Sequence, residues 1–166
     1  GIEMIMTAHI LYPQLESDKI LSNKTGKEES LPATMSDDIL TKLLKEQMGF
    51  DGIVVTDAMN MAGISGCWDQ VQSCVIAIQA GVDMICMPTT LNSTADLANL
   101  DAIINGIIAA AQDGTIPMER INDAVKRILT VKENRGILDY NAEEHTLEKA
   151  QAVVGSDENR AKEREL

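Results

Sequence analysis

The chain has 166 residues, 45% of them apolar and 24% charged, with a net charge of −12. That is room for one domain with a buried core and an ordinary globular composition. The acidic balance disfavours nucleic acid and anionic lipid as partners, since both need clustered Lys and Arg, and no apolar run approaches the length of a membrane span.

Residues 4–8, MIMTA, read as a buried strand that runs into His9. Residues 11–35 hold Pro13, Asn23, Gly26 and Pro32 among many charges and read as a long loop, a length usually reserved for functional segments. Ser36 is a good helix N-cap, and Asp37 and Asp38 follow where the helix dipole favours acids. Ile39, Leu40, Leu43, Leu44 and Met48 then make one apolar face, closed by Gly49. Residues 53–56 are the second strand. Val71, Cys74, Val75 and Ile78 recur at helical spacing up to Gly81. Residues 83–87, DMICM, form a third buried strand ended by Pro88. Ile103, Ile104, Ile107, Ile108 and Ala111 stripe the next helix, which stops at Gly114. Pro117 opens another, faced by Met118, Ile121, Val125, Ile128 and Leu129 and ended by Gly136. Residues 141–166 are charged and helical in composition, as a linker or docking helix would be.

Strands that are apolar on both faces belong in a parallel sheet covered by helices. The second and third begin about 30 residues apart, the length of one βαβ unit. A barrel and an open doubly wound sheet both satisfy this order, and in both the ligand site lies at the carboxyl ends of the strands. Asp57 stands at such an end, and so does His9. An acid there is placed for chemistry, although an Asp can equally cap a loop. His9 either lines the cleft or is a hydrogen-bonded structural histidine. Met59 could border a pocket, Met61 reads as packing and Asn60 as turn support. Met87 and Pro88 end the third strand on the cleft side. Asp83 begins that strand, at the end away from the site, and reads as a structural hydrogen-bonding residue. Cys67, Cys74 and Cys86 have no metal-ligand spacing and read as free thiols. No phosphate loop, metal cluster or Ser/His/Asp arrangement appears, so neither metal nor cofactor is expected. Aromatics are 2% of the chain, which counts against a complete carbohydrate site within it.

Several stretches, in order, carry a resemblance: MIMTAHI with YP close behind, LPATMSDDILTKLLKEQMGFDGIVVTDAMNM, AIQAGVDMICMP, and DGTIPMERINDAVKRILTVKENRGIL. Together they resemble the catalytic barrel of glycoside hydrolase family 3, closest to its bacterial β-N-acetylglucosaminidases (β-N-acetylhexosaminidases). The resemblance implies an α/β fold, the C-terminal portion of a TIM (β/α)8 barrel with about three βα units. Residues 1–140 would be the partial barrel and 141–166 the charged helical linker towards a further domain. It implies a retaining exo-glycosidase that removes terminal β-linked N-acetylglucosamine through a covalent glycosyl-aspartate, with Asp57 as nucleophile. His9, Met59 and Met87 are the substrate-side candidates. A complete barrel needs about 250 residues, and the histidine acid of this branch sits in a loop reading roughly KHFPGHGD, which these residues lack. His9 is not a substitute for it. Two functions are therefore carried forward: part of such a glycosidase, with β-glucosidase and β-xylosidase as neighbouring activities, or a catalytically inert half-barrel that self-associates through exposed strand edges. Localisation stays open between cytoplasm, cell envelope and secretion.

Overall fold

Three apolar segments meet side by side in the computed structural model, which describes residues 1–139 and 146–165. Strand β1 (Met4–Met6) runs parallel to β4 (Ile53–Val55), with Ile5 opposite Val54. On the other side of β4, Val55 bridges in parallel to Met84. The β-branched run of β4 is thus the centre of the sheet and is buried throughout. β1 departs from the expected buried strand: Met4 and Met6 are exposed, because it lies at the sheet's edge.

The third strand is shorter than its composition suggests. Only Met84 pairs with β4, because the ladder is interrupted on both sides. Before it, the Asp83 carboxylate takes the Val54 N–H at 2.9 Å; after it, the Cys86 N–H goes to the Thr56 hydroxyl at 2.9 Å. The expected loop over 11–35 is also corrected. It contains an antiparallel hairpin, β2 (Lys19–Leu21) on β3 (Glu28–Ser30), with Ile20 opposite Glu29.

The helix Asp38–Gln47 is wound wide, with bonds such as Met48 N–H to Leu43 C=O. Ser36 caps its first turn by accepting from the Ile39 N–H at 3.1 Å. The helix Gln70–Ala80 starts on the Asp69 side chain and ends at Gly81, whose φ of +119° only glycine adopts without strain. These two helices and β4 enclose a core of Leu40, Val54, Met59, Ile64, Trp68, Ala77 and Val82. Burial of each large aliphatic stabilises by about 1.5–3 kcal/mol. Cys74 is sealed in the second helix, and burial pushes its thiol up to about 11.

Asp83 does what its position suggested. Its side chain is fully buried at the amino end of the strands and binds Lys45 at 3.1 Å, Arg120 and the Val54 N–H. Arg120, from the helix Met118–Asn134, also donates to the carbonyls of Ile78 and Val82, at 3.1 and 2.7 Å. Burial lowers the pKa of Lys45, and the Asp83 charge opposes that shift.

The apolar stripes of the helices Leu97–Gln112 and Met118–Asn134 are only partly covered. Ile103, Ala110 and Ala124 are buried, whereas Ile104, Ile108, Val125 and Leu129 are close to half exposed. From Lys132 onward the chain forms a separate unit, with exposed helices Leu147–Val153 and Asp157–Glu165. The expected boundary near residue 140 falls at residues outside those described. No helix among the described residues is long and apolar enough to cross a membrane.

Candidate active site

The carboxyl end of β4 is fastened from two sides before Asp57 is reached. Thr56 is fully buried; its N–H donates to the Met84 carbonyl at 3.0 Å, and its hydroxyl accepts from Cys86. Backbone bonds continue past the aspartate, with the N–H of Met59 on the Cys86 carbonyl and that of Asn60 on the Met87 carbonyl. The Asn60 amide also donates to the Thr90 hydroxyl at 3.1 Å, which fits its expected role in the turn.

Asp57 sits half-buried on this platform. Its Oδ1 accepts the N–H of Ala58 at 2.7 Å, and its Oδ2 takes no hydrogen bond among the described residues. A carboxylate held by one oxygen and free at the other can serve as a nucleophile or as a general base.

His9 is brought to the same loop. Its Nε2 lies 3.0 Å from the Ala58 carbonyl, which can only accept, so Nε2 carries the proton. In the neutral ring Nδ1 is then an acceptor, and the hydroxyl of Thr34 donates to it across 2.9 Å. Thr34 is fully buried and is itself 2.9 Å from the hydroxyl of Thr7. Of the two sequence readings of His9, the geometry matches the hydrogen-bonded one: both ring nitrogens are engaged by the protein.

The two methionines diverge. Met59 is 2% exposed and packs within the main core. Met87 is 55% exposed and has a φ of +42°, the left-handed region that non-glycine residues seldom occupy outside special sites. Met87 itself lines a cavity of about 410 Å³, together with Pro88, Thr89, Thr90, Leu91, Asn92 and Leu100. Sequence reasoning missed Thr7 and Thr34. A buried threonine in an apolar strand or turn looks like packing, and only the contact across 27 residues shows that the hydroxyls have a use.

Residues 1–131 match the family described as the glycosyl hydrolase family 3 N terminal domain. The chain belongs to glycosyl hydrolase family 3. Among curated family members, it is 36% identical over 129 residues to a beta-hexosaminidase A of Pseudoalteromonas piscicida, covering 78% of this chain and 21% of that protein. It is 31% identical over 137 residues to a beta-N-acetylglucosaminidase/beta-glucosidase of Cellulomonas fimi, covering 82% and 22%. Among solved structures, a glycoside hydrolase family 3 beta-N-acetylglucosaminidase from Paenibacillus sp. str. FPU-7 superposes with a TM-score of 0.69 at 32% identity, over 85% of this chain and 23% of that one. The chain spans about a fifth of the length of the curated relatives it matches. Its fold is a part of the family's α/β barrel, and Asp57 and His9 stand at the end where such barrels carry their chemistry.

Proposed function

We propose that this chain supplies the nucleophile side of a retaining exo-glycosidase that removes terminal β-linked N-acetylglucosamine. One observation carries the reading: Asp57 follows the central buried strand of a family 3 barrel, half-buried, with a single oxygen tied to the backbone. Oδ2 attacks the anomeric carbon and forms a glycosyl-aspartate while the aglycone oxygen leaves with a proton. Water then attacks the same carbon from the face the aglycone left, giving its proton back to the group that had protonated the aglycone, and Asp57 departs as a carboxylate. The two inversions return the original configuration.

The proton donor comes from a part of the barrel outside residues 1–166. His9 is a poor candidate for it, since neither ring nitrogen is free. General-acid assistance is worth about 10²–10⁴-fold, so residues 1–166 alone turn over aryl glycosides far more slowly than the intact enzyme, meaning the barrel with this chain in place. The half-exposed Ile104, Ile108, Val125 and Leu129 and the edge strand β1 suit a chain whose remaining neighbours are elsewhere. By itself it self-associates through these surfaces; a compact monomer in sedimentation would contradict that. The relative from Cellulomonas fimi is a beta-N-acetylglucosaminidase/beta-glucosidase, which makes glucosides the second substrate class to assay.

Replacing the nucleophile is the test. Asp57→Ala in the intact enzyme is expected to lower kcat on a nitrophenyl N-acetylglucosaminide by roughly 10³-fold or more, the scale of removing a covalent nucleophile. Retained turnover would overturn the proposal.

A further inference from the structure

We propose that His9 is a positioning residue for Asp57, acting through the peptide groups of Ala58; this rests on the reading of Asp57 as nucleophile. Ala58 joins the two side chains because both its backbone groups are used. Its N–H holds Asp57 Oδ1 at 2.7 Å, and its carbonyl receives the His9 Nε2–H at 3.0 Å. Turning the Ala58 peptides would rotate the donor that selects which carboxylate oxygen faces the cleft. His9 opposes that rotation.

The histidine is itself held on several sides. The Thr34 hydroxyl engages Nδ1, and the Thr7 hydroxyl engages Thr34, so the ring orientation is set by two buried hydroxyls. Thr7 is fixed to the sheet by its N–H on the Val55 carbonyl at 2.8 Å, and the residue after His9 is fixed by the Ala33 N–H on the Ile10 carbonyl at 2.9 Å. Gly63 lies alongside: a Cβ placed there would be 3.6 Å from the Cβ of His9, at ordinary van der Waals contact. The result is a relay from β1 across to the loop after β4: Thr7, Thr34, His9, Ala58, Asp57. Met59 and Asn60 are anchored independently on Cys86 and Met87. Loss of His9 therefore leaves the loop in place, with the Ala58–Met59 peptide still held through the Met59 N–H. It removes the restraint on the carbonyl side of Ala58, next to the peptide whose N–H aims the nucleophile. The cost falls on the chemical step rather than on substrate binding, because neither ring nitrogen is available to a sugar.

The test compares His9→Phe, His9→Gln and Asp57→Ala in the intact enzyme. His9→Phe is expected to lower kcat by about 10–100-fold, the scale of a small misplacement of a reacting group, with KM changed less than about threefold. His9→Gln, whose side-chain amide can donate to the Ala58 carbonyl, is expected to regain most of that loss. A rise in KM at unchanged kcat would overturn the proposal, as would a fully active Phe variant or a Gln variant no better than Phe. A measurement on the unaltered chain keeps the proposal testable should His9→Phe fail to fold. The sequence holds two histidines, so ring ¹⁵N signals are readily assigned. His9 is expected as the Nε2–H tautomer, and the Nδ1–H tautomer would overturn the relay. If Asp57→Ala keeps its turnover, the nucleophile reading fails first. If Asp57→Ala is inactive and the His9 results run contrary, only the positioning role fails.

Discussion

Two aspartates stand at opposite ends of the same short parallel sheet, and they are built into it in opposite ways. Asp83, at the amino end, has no exposed side-chain surface and spends both oxygens: Oδ1 on Lys45 and Arg120, Oδ2 on Lys45 and the Val54 N–H. Asp57, at the carboxyl end, is half-buried, makes one backbone hydrogen bond and takes no ion pair among the described residues. A carboxylate clamped between two cations is a fastener. A carboxylate with one oxygen steadied by a neutral donor keeps its charge available for a reacting carbon. Around Asp57 the holding is done by the neutral bonds of Thr7, Thr34, His9 and Ala58, which fix geometry without placing a cation on its carboxylate.

Substitutions at each end sharpen this contrast. The largest effect on stability is expected from Asp83→Asn. It leaves Lys45 and Arg120, whose side chains are 9% and 14% exposed, without their counter-charge. The cost is expected to be about 3–5 kcal/mol in urea unfolding, the scale of breaking one side of a buried pair, with kcat per folded molecule of the intact enzyme unchanged. A loss below about 1 kcal/mol, the surface-pair range, would break the comparison at that end. Thr34→Val keeps the volume and removes the hydroxyl between His9 and Thr7. It is expected to cost about 1–3 kcal/mol, because buried polar atoms lose a partner, and to reduce kcat with it. Full activity in this variant would count against a relay starting at the buried threonines. The smallest effect is expected at Met87. Met87→Gly relieves a left-handed φ of +42° at an exposed side chain and should raise stability by up to about 1 kcal/mol. A clear loss in the same unfolding assay would mean that the Met87 side chain supports the fold rather than the rim of the site.

Much of this was legible in the residues, for identifiable reasons. A β-branched run flanked by a glycine and ended by an acid reads as a buried strand with a polar tip, and β4 and Asp57 are that; its place at the centre of the sheet came only with the pairing. Ser36 and Gly81 mark helix ends because their cap chemistry is local. What escaped depended on contacts between distant residues. The hairpin β2–β3 is made of KIL and EES, three residues each and too polar to announce strands. DMICM has strand composition, yet its ladder is cut by side chains of Asp83 and Thr56 that composition does not register. Met59 follows Asp57 by two positions, but the turn after Asp57 sends it into the core. The motifs matched to a known family carried the functional reading further than periodicity could, since nothing in an apolar run states which acid attacks a sugar.

Covalent trapping tests the central claim most directly. The intact enzyme would be incubated with a 5-fluoro derivative of N-acetylglucosaminyl fluoride, which slows breakdown of a glycosyl-enzyme, then digested and mapped by mass spectrometry. A sugar ester on the peptide containing Asp57, absent in Asp57→Ala, is the expected result. An ester on any other residue, or turnover of the reagent with Asp57 never labelled, would contradict it.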